Sequence, residues 1–110
     1  MKNIKVMATV YNLSELYKVS GKSKARRGLF GYMLHTARPD NQVFGGAMRL
    51  VEDLESVGSN LYKLNMEDEY GEEIAFIAEM ALTGKFKKFA LSKREIKKRT
   101  KYIVKLGLDY

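Results

Sequence analysis

The chain contains no cysteine, one proline and one histidine in 110 residues. Without cysteine there is no disulfide framework, no thiol nucleophile and no zinc or iron–sulfur site built on thiolates. The redox compartment stays open, with the reducing cytosol as the simplest expectation. No apolar run approaches the roughly 20 residues of a membrane-spanning helix. Met1-Lys2-Asn3-Ile4 also leads into no signal-peptide core, so a soluble, cytoplasmic protein without a membrane partner is expected. The lone Pro39 sits in Arg38-Pro39-Asp40-Asn41, a turn composition, and no stretch is repeated or of low complexity. Residues 1–110 therefore read as a single domain. At 45% hydrophobic residues, such a chain buries roughly two-thirds of its unfolded surface, enough for one core.

Charge is abundant and unevenly placed. The net charge is +7, yet residues 1–42 carry eight Lys/Arg against two Asp/Glu, residues 43–84 two against nine, and residues 85–110 ten against two. Basic ends around an acidic middle fold into either a self-neutralising surface or a two-faced one. Ordinary solvated charge is the plainer alternative.

Residues 4–11 alternate Ile4, Val6, Ala8 and Val10 against Lys5, Met7, Thr9 and Tyr11, the period-2 pattern of a half-buried strand. Residues 12–19 fit neither template. From Gly21 to Gly28, two glycines bound Lys22, Lys24, Arg26 and Arg27 with no apolar anchor, which predicts a flexible basic loop. Residues 29–36 suit a second strand, and Pro39 to Asn41 turn it towards a short strand at Gln42-Val43-Phe44. Ala47, Leu50, Val51, Leu54 and Val57 share one face of a helix stopped by Gly58. A strand over Asn60–Met66 follows. Ile74, Ile77, Ala78, Ala81 and Leu82 then predict a helix over 72–82, with a hairpin at Tyr70-Gly71 as the alternative.

In Lys85-Phe86-Lys87-Lys88-Phe89, aromatic residues interleave with cations, as on surfaces where bases stack on rings and lysines meet phosphates. The two rings lie three apart, however, so one helical turn would bury both. Ser92 and Glu95 form the Ser-x-x-Glu signature of a helix start. The helix predicted from Lys93 to Leu106 ends at Gly107. It places Ile96, Ile103 and Leu106 on one side, and Lys93, Arg94, Lys97, Lys98, Lys101 and Lys105 within an arc of about 140° on the other. Cations so close repel unless a polyanion or an acidic surface meets them.

Other patterns lead nowhere. Gly21-Lys22-Ser23 resembles the end of a phosphate-binding loop, but Leu16 stands where that loop needs glycine. His35 lies on a predicted strand without nearby acids. Glu67-Asp68-Glu69-Tyr70-Gly71-Glu72-Glu73 lacks calcium-loop spacing and better suits the start of a helix, whose dipole favours negative charge.

The order strand, long loop, strand, strand, helix, strand, helix over residues 3–82 resembles the first part of a ribonuclease H-like fold. Leu64-Asn65-Met66-Glu67-Asp68-Glu69-Tyr70 is similar to the strand end carrying that family's third acid, with Glu67 in its place. Thr9 or Val10 stands where the first-strand aspartate belongs, and Gly46 or Ala47 near the helix glutamate. Two-metal catalysis needs carboxylates converging on ions about 4 Å apart, so the resemblance implies an inactive relative that kept the scaffold.

These readings combine into an α+β domain: a small, mostly antiparallel sheet packed by about three helices and ending in a basic amphipathic helix. No enzymatic activity and no cofactor are expected. The leading function is binding of RNA, DNA or a nucleoprotein complex through the basic loop, Lys85, Lys87, Lys88 and the C-terminal helix. If loop and helix share one site, about six phosphates are neutralised and the log–log salt slope is near −5. The alternative is a small inhibitor or accessory factor, of the kind phages and mobile elements encode, docking on an acidic protein surface.

Overall fold

In the computed structural model of the chain, the described residues are 3–6, 12–36, 41–58, 63–66 and 70–107. They form five α-helices and two short strands. β1 (Asn3–Val6) is followed by α1 (Leu13–Ser20), α2 (Lys24–His35) and α3 (Asn41–Ser56). Then come β2 (Lys63–Met66), α4 (Gly71–Leu82), a 3-10 turn at Lys87–Phe89 and α5 (Lys93–Leu106).

This overturns the α+β expectation. The described residues are overwhelmingly helical, and the only strand pairing among them is β1 with β2. That pair is parallel rather than antiparallel, with Asn3 opposite Lys63 and Val6 opposite Met66. A parallel pair requires a long crossover, and α1, α2 and α3 supply it. Of the elements in the ribonuclease H-like reading, the strands expected at 29–36 and 42–44 are helical, and Glu67, Thr9 and Val10 lie outside the described residues.

Side-chain capping starts three of the helices. Asn12 Oδ1 accepts from the Glu15 amide at 2.9 Å, Ser23 Oγ from Arg26 at 3.1 Å, and Ser92 Oγ from Glu95 at 3.0 Å. Each satisfies one of the orphan amides of a first turn. The Ser23 cap converts most of the expected flexible loop at 21–28 into the first turn of α2, although three cations in that turn oppose the helix dipole. Tertiary packing outweighs that cost.

Segment 29–36 is helical for a similar reason. Leu29, Phe30 and Met33 are buried together, a spacing of 1 and 4 that only a helix places on one side. Gly28 and Gly31 let α2 approach the chain at Phe86–Phe89. A Cβ on Gly28 would stand 2.8 Å from the Phe86 carbonyl oxygen, and one on Gly31 would overlap the carbonyl of Phe89. A strand at 42–44 is likewise replaced by helix. Val43, Phe44, Ala47, Met48, Val51 and Leu54 are all buried, so α3 begins about six residues before the expected start.

The helix expected at 72–82 is present as α4, and the hairpin alternative falls. Ile74, Ile77, Ala78 and Ala81 join the core with Leu16 and Tyr17 of α1. Val57, expected on the buried face, lies in the turn after α3 and is exposed. Gly58, Gly84 and Gly107 adopt positive φ of 72°, 82° and 66° just past α3, α4 and α5, as helix-terminating glycines do.

Candidate functional site

The C-terminal helix forms over the expected residues, with Gly107 at its end. Ile96 and Ile103 are buried, whereas Leu106, expected beside them, is exposed. α5 packs chiefly on α1, and the six cations expected on its basic face divide into two groups. Lys93, Lys97 and Lys101 line a cleft against α1, together with Lys18, Lys22, Gly21, Tyr17, Ile96 and Thr100. Arg94, Lys98 and Lys105 are exposed but do not line it. At 100° per residue they fall on the part of the wheel farther from Ile96 and Ile103. Arg99, the seventh exposed cation of α5, pairs with Glu95.

The cleft measures about 470 Å³ and is lined by five lysines and no carboxylate. Its shape follows from one close approach. A Cβ on Gly21 would lie 3.3 Å from Ile96 Cγ2, so the turn carrying Lys22 rests on α5. Thr100 Oγ1 donates to the Ile96 carbonyl at 2.8 Å. Tyr17 is 4% exposed, and its ring packs on Phe30 with centroids 4.2 Å apart. Lys18 sits 3.6 Å from Glu15, both well exposed, a pairing that contributes little in water.

On the other side of α5, Arg99 Nε donates to Glu95 Oε1 at 2.7 Å. That hydrogen bond, reinforced by the charges of Arg99 and Lys98, holds the Glu95 carboxyl below its ordinary value. Arg99 in turn is raised by Glu95 and then by the Tyr17 hydroxyl. Glu95 thus faces Arg99 rather than completing a reciprocal cap.

The loop cations do not act together. Only Lys22 joins the α5 lysines in the cleft. Lys24 lines a smaller, largely apolar hollow of about 230 Å³ with Lys87, Phe86 and Gly28. Arg26 has 11% of its side chain exposed and binds Glu55 at 2.8 Å and Glu52 at 3.7 Å, with Nη1 donating to the Val19 carbonyl at 3.4 Å. It ties α2 to α3 and to the end of α1. Arg27 turns inward, its Nε and Nη1 buried without a hydrogen-bond partner.

In the 85–89 segment both rings face inward. Phe86 is buried and stacks on Tyr32 at 4.3 Å and 14°, while Phe89 meets Tyr32 edge-on at 5.3 Å. Lys85, Lys87 and Lys88 remain exposed, with Lys88 Nζ 5.2 Å from the Phe89 ring centre. His35 lies beside the same ring at 4.9 Å.

Lys18 is the cleft residue that sequence reasoning missed. Its spacing of four from Lys22 carried a signal, but only once residues 13–20 are known to be helical. Among the described residues no group of three His, Asp or Glu is placed to hold a metal, and no helix is long and apolar enough to cross a membrane. No protein-family model, curated protein or solved structure matches the chain.

Proposed function

We propose that the protein is a non-catalytic nucleic-acid-binding or nucleoprotein-binding module whose contact surface is the α1–α5 cleft. The supporting observation is the convergence of Lys18, Lys22, Lys93, Lys97 and Lys101 on one concavity lined by no carboxylate. Like charges held this close raise the local potential and attract a polyanion. The interface is narrower than the sequence implies, because Arg26 is held by Glu55 and Glu52 and Lys24 lines a different hollow. With three to five phosphates neutralised, the salt slope for a single strand falls to between about −2 and −3.5. The test is fluorescence anisotropy with a labelled oligonucleotide across a salt series. A flat salt dependence, or no binding at low salt, ends this reading.

A second reading keeps one specific observation. Tyr102 is 63% exposed and Leu106 49%, four residues apart on α5, which makes them neighbours on its surface. An exposed aromatic beside an aliphatic residue is the kind of anchor a protein partner buries. An accessory protein docking on a larger partner would use it, and Tyr102→Ala would then abolish capture of that partner while leaving oligonucleotide binding intact.

A further inference from the structure

The α1–α5 cleft contains almost nothing that reads a base. Its polar side chains other than lysine are committed, Thr100 to the Ile96 carbonyl and Tyr17 to packing on Phe30 and to Arg99. The one ring in the cleft lining, Tyr17, is 4% exposed, Phe86 and Phe89 belong to the Tyr32 cluster, and the exposed Tyr102 does not line the cleft. What is offered is positive charge in a defined spacing. Lys93, Lys97 and Lys101 recur once per helical turn, rising about 6 Å from one to the next and about 12 Å in all. Lys18 and Lys22 come from α1 and the turn after it.

We propose that this cleft seats the sugar–phosphate backbone of a single strand of RNA or DNA, with its bases turned outward and unread. The inference rests on the nucleic-acid reading above and names the form of the ligand. Along α5 there is room for about three successive phosphates, one for each lysine of the stripe. Lys18 and Lys22 neutralise the strand from the other side. A duplex carries its phosphates on a stiff convex cylinder and reaches only the rim of such a concavity. A single strand bends into it. With phosphate contacts alone, binding is salt-dependent and indifferent to sequence.

The experiment compares labelled 12-nucleotide oligo-dT, oligo-dA and oligo-rU with a 12-base-pair duplex at fixed salt. Each is measured against wild type, Lys22→Ala, Lys97→Ala/Lys101→Ala and, as a control outside the cleft, Lys85→Ala/Lys88→Ala. Circular dichroism confirms that each exposed-lysine variant is folded. The three single strands are expected to bind within about threefold of each other and the duplex about tenfold or more weaker. The two cleft variants lose about tenfold while the control stays within about twofold. A duplex that binds as tightly as the single strands, a strong preference for one base, or equal loss in the control overturns the single-strand cleft but leaves nucleic-acid binding standing. No measurable binding to any of the four probes overturns both.

Discussion

Arg26 Nε donates to Glu55 Oε1 across 2.8 Å, joining the first turn of α2 to the last turn of α3 at a site where the arginine side chain is 11% exposed. The partial burial makes this ion pair structural. Removing one partner leaves the other charge short of solvent and of its hydrogen bond, so Arg26→Ala is expected to lower stability by about 1.5–3 kcal/mol in urea unfolding. A change below about 0.5 kcal/mol, the range of ordinary surface substitutions, would return Arg26 to the set of free cations.

Arg27 poses the opposite case. Its Nε and Nη1 are buried and unpartnered, a cost that an apolar side chain of similar length does not carry. Arg27→Met is expected to raise stability by about 1 kcal/mol. A loss of stability on this replacement would mean that the guanidinium has a role its hydrogen bonding does not reveal.

Gly31 is fixed by its neighbour. A methyl group there would overlap the Phe89 carbonyl, and backbone cannot rotate aside as a side chain can. Gly31→Ala is therefore expected to cost about 3 kcal/mol or more and to loosen the Tyr32–Phe86 stack, visible as reduced near-ultraviolet circular dichroism. By contrast, Gly84 has open space around its Cβ position and φ of +82°, so its alanine variant should lose only about 1–2 kcal/mol, from backbone strain.

The two cation groups on α5 should separate in binding. Reversing Lys93, Lys97 and Lys101 to Glu replaces every α5 cation that lines the cleft, whereas reversing Arg94, Lys98 and Lys105 changes the same number of charges outside it. The first triple is expected to abolish oligonucleotide binding, and the second to weaken it by about tenfold or less through the long-range field. Equal losses in anisotropy titrations would mean that net charge, rather than the cleft, governs association.

Glu95 gives a pH dependence whose sign is determined. Its carboxyl is held low by the hydrogen bond from Arg99, so the stabilisation is present above the ordinary glutamate value of about 4.3 and is lost as pH falls through the lowered folded-state value. The start of α5 should fray in that acid window, measured as lower amide protection factors at residues 95–98. Glu95→Gln should remove the Glu95 share of that change. The same acid sensitivity in the variant would assign the fraying to other carboxylates.

Several elements were legible because their signals are local. Ser92 with Glu95, the cations of α5 and Gly107 mark a helix whose cap, charged face and terminating glycine lie within a few residues of one another. α4 is similar, with Ile74, Ile77, Ala78 and Ala81 at helical spacing. α2 was not legible. Phe30, Tyr32 and the flanking glycines favour strand or loop by local preference, and what makes the segment helical is the contact of Gly28 and Gly31 with Phe86 and Phe89, more than 50 residues away in the chain. Short apolar runs such as 29–36 and 42–44 fit either period, and only the neighbours they pack against decide.

From the amino acids alone came the charge layout, the absence of thiol chemistry, and the position and polarity of the last helix, because each is a property of residues adjacent in the chain. Tertiary structure decided which cations meet. Four basic residues between Gly21 and Gly28 looked equivalent, yet Lys22 faces the α5 lysines, Lys24 a separate hollow, Arg26 the acids of α3, and Arg27 the interior. Lys22 sits in the turn before α2, and successive residues of a helix point about 100° apart, so Lys24, Arg26 and Arg27 of α2 are sent to different surroundings and their partners depend on what the fold brings opposite each one.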